Sequence, residues 1–210
     1  MSPAPSPAPL VTSDGVMLEH EFAPAVGEPS IAVVLCHPHP QYGGTMRSLV
    51  ISVLFAELPT AGFACLRFNF RGVEGSAGKH EQGECEPFDV VAAVGAMSEA
   101  FPSLPLAVVG WSFGADMALA VVDARIGGWV AIAPPLRYRS SFDAAADPRP
   151  KHLVLAEHDE FRPPAEIETE VAGWTDTTST VVPGASHFFM GRTDRVVTET
   201  RFGLTRIAAG

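Results

Sequence analysis

Apolar positions along this chain fall into two alternating kinds of segment. Residues 31–36, 63–70, 106–109, 129–133, 152–156 and 180–182 are short, largely β-branched or apolar runs, the signal of strands in the body of a sheet. Between them the spacing changes. Met46, Leu49, Val50, Val53, Leu54 and Leu58 recur at helical intervals before Gly62. Val90, Val91, Val94 and Met97 form a second helical face, residues 115–122 a small-residue helix, residues 163–171 a short acidic helix, and residues 192–207 an amphipathic one with Val196, Val197, Leu204 and Ile207. Ahead of all this, Ser13-Asp14-Gly15 marks the turn of a hairpin within residues 11–23. Strands alternating with helices predict an α/β domain around a mostly parallel sheet with helices on both faces. Reactive groups in such sheets gather at the carboxyl ends of the strands.

No internal repeat or linker interrupts the pattern, so residues 11–210 are expected to form one domain behind a flexible Pro/Ala-rich tail, residues 1–10. The tail lacks the basic and apolar regions of a signal peptide, and no apolar stretch is long enough to span a bilayer. A formal charge of −10 disfavours nucleic acid and anionic membrane as partners, since both require a basic face. Cys36, Cys65 and Cys85 are odd in number and lack C-x-x-C spacing, which fits reduced thiols and a cytoplasmic location.

Candidate chemistry concentrates at Gly110-Trp111-Ser112-Phe113-Gly114, where a strand pattern gives way to a helix pattern. A serine on so sharp a turn sits in a strained backbone conformation, and its second neighbours must lack side chains for the turn to close. G-x-S-x-G arises by chance in about one chain in fifteen of this length; its placement between strand and helix gives the motif its weight. Other reactive residues also fall where strands end: His37-Pro38-His39-Pro40, Asn69-Phe70-Arg71-Gly72, Glu157-His158-Asp159-Glu160, and Ser186-His187.

A serine on such a turn, then an acid after a later strand, then a histidine after the last strand, is the chain order of α/β-hydrolases. The set His37–Pro40 with Gly43-Gly44, residues 68–73, the Gly110–Gly114 turn and residues 186–189 resembles the small lidless bacterial α/β serine hydrolases of the dienelactone-hydrolase-like subgroup. The resemblance covers residues 33–190. It departs at Glu74, where the subgroup usually has glycine, and at Ser112, where dienelactone hydrolases proper carry cysteine. It implies an α/β-hydrolase fold without a cap domain, consistent with the short segment 136–150. It also implies cleavage of a small or exposed carboxylic ester through an acyl-enzyme, without cofactor or metal. A thioesterase or small peptidase with the same residues, or a non-catalytic hydrolase-like scaffold, are the alternatives.

On this reading Ser112 is the nucleophile, His187 the base and Asp159 the acid that orients it. His37, His39 and His158 are rivals for the base; Glu157, Glu160, Asp143 and Asp147 for the acid. The oxyanion hole is expected from the backbone amides of Phe113 and His39, because Pro38 and Pro40 have no N–H; the 37–40 loop is otherwise a turn stiffened by proline. His37 and His39 as metal ligands lack a second ligand cluster. Arg71 is open to a substrate carboxylate or to a structural ion pair. Tyr42, Phe113, Tyr138, Phe161 and Phe188 are candidates for an acyl pocket or for plain core.

Overall fold

A computed structural model describes residues 6–209. Residues 1–5 of the expected tail lie outside the described residues. Of the tail's described residues, Ser6, Ala8 and Pro9 are exposed, Pro7 is buried, and Leu10 is 1% exposed within β1 (Leu10–Val11), which pairs antiparallel with β2 (Met17–Leu18). The reason is the apolar side chain of Leu10, which joins the core beside Leu18 and the second long helix.

The main sheet has seven strands. In chain order these are β3 (His20–Ala23), β4 (Ile31–Cys36), β5 (Phe63–Phe68), β6 (Leu106–Trp111), β7 (Gly128–Ile132), β8 (Lys151–His158) and β9 (Thr177–Ser186). Their spatial order is β3-β5-β4-β6-β7-β8-β9, with only β3 antiparallel to its neighbour. The helices are α1 (Leu49–Glu57), α2 (Glu86–Ala100), α3 (Phe113–Leu119), α4 (Pro164–Val171) and α5 (Thr193–Ala208).

The period-two geometry of strands divides the core. Ala32, Val34 and Cys36 of β4 pack with α2 and α3, whereas Ile31, Val33 and Leu35 pack with α1 and α5 on the opposite face. The continuous apolar run of β4 exists because both faces are covered. In α1 the buried face is Val50, Ile51 and Leu54, while Leu49 is turned outward and 44% exposed.

β9 is longer than the sequence predicts. Pro183-Gly184 reads as a strand break, yet pairing with β8 continues through a bulge at Ala156/His158 to His158 opposite Ser186. As an edge strand, β9 tolerates a proline whose missing N–H is not needed by a second neighbour. Residues 133–150, between β7 and β8, contain one short 3-10 turn (Asp143–Ala146) and no inserted domain.

The β6–α3 junction leaves no space for a side chain at either of its glycines. A Cβ on Gly110 would lie 2.2 Å from the Gly114 carbonyl oxygen, and a Cβ on Gly114 would lie 2.3 Å from the Cys36 carbonyl oxygen. Neither obstacle is a movable side chain. Gly110→Ala or Gly114→Ala is therefore expected to cost more than about 3 kcal/mol or to prevent folding. Gly173→Ala, whose Cβ meets nothing within 4 Å, should change stability little. Urea denaturation of the three variants checks this, and an unaltered midpoint for both elbow variants would contradict it.

Candidate active site

Ser112 stands between β6 and α3 with φ 55° and ψ −120°, a conformation non-glycine residues rarely adopt. Its amide continues the ladder by donating to the Ile132 carbonyl at 2.8 Å, while its own carbonyl already accepts from Ala115. The strained residue is thus held from both sides. Two other groups meet it. His187 Nε2 lies 2.9 Å from Ser112 Oγ, and His187 Nδ1 lies 2.8 Å from Asp159 Oδ2. All three residues are at least nine-tenths buried.

Each of the three has its own support. Asp159 follows β8, and its Oδ1 accepts the amides of Phe161 (2.9 Å) and Arg162 (3.1 Å), leaving Oδ2 for the imidazole. His187 follows the extended β9. Its amide donates to Glu160 Oε2 at 3.2 Å and its carbonyl accepts from Trp111 Nε1 at 3.2 Å. The longer pairing of β8 with β9 is what sets His187 beside Asp159. The other acid candidates lie apart from the ring. Glu160 holds the His187 backbone, Glu157 accepts the Gly184 amide at 2.7 Å, Asp147 is paired with Arg149, and Asp143 starts the 3-10 turn. His158 is an exposed side chain beside Glu157.

The 37–40 loop rests on its histidines. His37 is fully buried; Nδ1 donates to the Pro38 carbonyl at 2.6 Å and Nε2 accepts the Phe70 amide at 3.0 Å. That pair of bonds fixes one neutral tautomer and occupies both ring nitrogens, and burial pushes the pKa down to about 3. The His39 ring, also lowered to about 4 by burial, packs among Tyr42, His80, Phe113 and Tyr138. Neither the His39 nor the Phe113 amide has an acceptor among the described residues.

Arg71 is 3% exposed and bound to Asp89 and Asp14, with its Nε, Nη1 and Nη2 all engaged. It is a structural ion pair and not a contact open to substrate. Glu74 sits at φ 46°, a backbone region that favours glycine, and offsets the strain by accepting from Asn69 and Arg47, each at 2.8 Å.

Above Ser112 opens a cleft of about 450 Å³. Tyr42, Tyr138, Phe161 and Phe188 line it with Leu49, Trp111, Pro135 and Arg137, whereas Phe113 is fully buried beneath. The sequence pattern does not single out Leu49, Trp111, Pro135 or Arg137 as lining residues. The helical spacing groups Leu49 with Val50 and Leu54, but the fold turns it outward to the cleft. No helix among the described residues is long and apolar enough to cross a membrane.

No protein-family model matches the chain. An uncharacterized protein of Rickettsia prowazekii is 30% identical over 189 residues, covering 84% of this chain and 79% of the relative. An α/β serine hydrolase homologue from Coxiella burnetii superposes with a TM-score of 0.80 at 28% identity, over 92% of this chain and 94% of that one. A Xanthomonas campestris α/β serine hydrolase without a lid gives 0.82 at 26% identity, over 98% and 96%.

The buried neutral His37 predicts a pH signature. Its folded pKa lies below the unfolded value of 6.5, so the folded state holds fewer protons and the protein loses stability as pH falls between the two. His37→Gln removes that linkage. The stability advantage of the original protein over this variant should shrink by about 1.4 kcal/mol per pH unit from pH 6 to pH 4. Urea unfolding of both across that range measures it; a constant difference would mean that His37 is not held neutral.

Proposed function

The chain belongs to the lidless α/β serine hydrolases, and from that premise we propose that it cleaves a carboxylic ester by way of an acyl-enzyme on Ser112. The observation that carries the reading is the continuous line Oγ–Nε2–Nδ1–Oδ2 through Ser112, His187 and Asp159, with both contacts at hydrogen-bond distance. A serine hydroxyl is a weak nucleophile and requires a base in direct contact.

In this mechanism Ser112 Oγ attacks the ester carbonyl carbon as His187 Nε2 takes the hydroxyl proton. Asp159 keeps the second ring proton on Nδ1 and stabilises the imidazolium without taking that proton itself. The carbonyl oxygen, now negative, is received by the unpaired amides of Phe113 and His39. The carbonyl carbon's bond to the alcohol oxygen then breaks, and the proton on Nε2 passes to the leaving alcohol. Water, activated by the same nitrogen, attacks the acyl-enzyme, frees the carboxylic acid and returns Ser112 to its starting state.

The aromatic, open cleft fits an ester presented at the surface or one of modest size, since no cap among the described residues encloses it. Parallel assays of oxygen esters and thioesters of graded acyl length define the preferred group.

A fluorophosphonate should form a covalent adduct with Ser112, read by intact-mass analysis. Absence of an adduct, or one that survives Ser112→Ala, would overturn the nucleophile.

The acid is tested by amide substitution. An asparagine at 159 can hold His187 in the wrong tautomer, and in serine proteases the equivalent change costs about 10⁴-fold in turnover. Asp159→Asn should therefore lose several orders of magnitude in kcat, while Glu157→Gln and Glu160→Gln each change the rate by less than about tenfold. All three are measured on one activated ester at one pH. An active Asp159→Asn beside a crippled Glu160→Gln would transfer the role to Glu160.

A further inference from the structure

Asp116 lies one turn beyond Ser112 in α3, fully buried, and its carboxylate has no hydrogen bond to Ser112 Oγ, His187 or Asp159. Its carboxylate accepts three consecutive backbone amides from the segment after β7. Oδ1 takes Leu136 at 2.9 Å; Oδ2 takes Arg137 at 2.9 Å and Tyr138 at 3.1 Å. The amides converge because the backbone there is unusual, with Ala133 at φ 42° and Leu136 at φ 48°. Successive N–H groups in such a turn form a concave anion site, and here a side chain of the protein fills it.

The opposite side of the same segment is also held. Arg162 Nη1 donates to the Pro135 carbonyl at 2.8 Å and the Leu136 carbonyl at 3.1 Å, and the amide of Arg162 donates to Asp159 Oδ1. A closed circuit results: from Ser112 along α3 to Asp116, across the segment to Arg162, to Asp159, and through His187 back to Ser112. Pro135, Arg137 and Tyr138 of this segment form one wall of the cleft. Strained backbone is retained where surrounding contacts over-determine it, and here those contacts fix the distance between the wall and the nucleophile.

We propose that Asp116 is a positioning residue that sets the selectivity of the cleft for bulky acyl groups, by anchoring the 135–138 wall to the helix that carries Ser112. The proposal rests on the ester-cleaving function above. An acyl group long enough to reach the wall gains contact only if the wall is already in place; an acetyl group is too short to use it. Misplacing a wall by a fraction of an ångström to an ångström removes such contacts without disturbing the reacting groups. Asparagine cannot substitute for the carboxylate. It offers one oxygen where the three amides use two, and it sets an NH2 group against at least one N–H.

The test compares kcat/KM for 4-nitrophenyl acetate and 4-nitrophenyl 3-phenylpropanoate, per active site titrated with a fluorophosphonate. In Asp116→Asn the selectivity ratio of phenylpropanoate to acetate should fall by about tenfold. A merely structural role would lower the number of titratable sites or slow both esters alike, leaving the ratio unchanged, and that result would overturn the proposal. Arg162→Gln frees the carbonyl side of the same wall and should lower the ratio in the same direction. It decides the matter if Asp116→Asn yields no titratable sites, an unchanged ratio again overturning the proposal. A parent protein that hydrolyses neither ester and takes no label would instead overturn the function on which the proposal rests.

Discussion

Everything at the carboxyl edge of the sheet hangs on one close approach of backbone to backbone. At the β6–α3 junction, Gly110 meets Gly114 and Gly114 meets the carbonyls of Cys36 and His37, with no space for a side chain at either glycine. That packing forces Ser112 to positive φ and brings the start of α3 against the end of β4. The nucleophile candidate, the first helical amide and the 37–40 loop are therefore neighbours by construction. Strain at Ser112 is sustained because hydrogen bonds to Ile132 and Ala115 hold the residue from both sides.

Around that junction the loops at the carboxyl edge are fixed by buried polar groups whose partners are mostly backbone. His37 ties the 37–40 loop to Phe70, Asp116 gathers the amides of residues 136–138, and Glu86 accepts the amides of Glu81 and Gly83. Burial raises the pKa of Asp116 to about 6 even against those amides, as it does for Asp89 beside Arg71. Such groups are costly to bury and costly to unpair. Here they make a rigid floor from irregular chain, and the apolar cleft opens above it.

The aromatic residues illustrate how one residue type serves two purposes. Phe68, Phe70 and Phe113 are closed inside the fold, with edge-to-face contacts from Phe70 to both Phe68 and Phe113. Tyr42, Phe161 and Phe188 remain exposed at 80%, 45% and 45%, around the cleft.

The alternation of strands and helices, the parallel sheet and the serine turn are legible in the amino-acid order alone. The alternation and the turn are local properties, read from two-residue or helical periodicity and from glycine where the backbone must close, and the parallel sheet follows from the alternation. The same order sets Ser112, Asp159 and His187 each just beyond a strand, in the sequence the resemblance requires. Folding in three dimensions settled what depends on partners far apart in the chain. β9 runs on past Pro183 because an edge strand has no second neighbour to satisfy. Of the carboxylates at residues 157–160, Asp159 alone meets the His187 ring, because its other oxygen is held by the Phe161 and Arg162 amides. Arg71 is enclosed by Asp14 and Asp89, from opposite sides in sequence. Asp116 carries no signal in the amino-acid order at all, since its partners are backbone amides some twenty residues away, and amides are the same whatever the side chains.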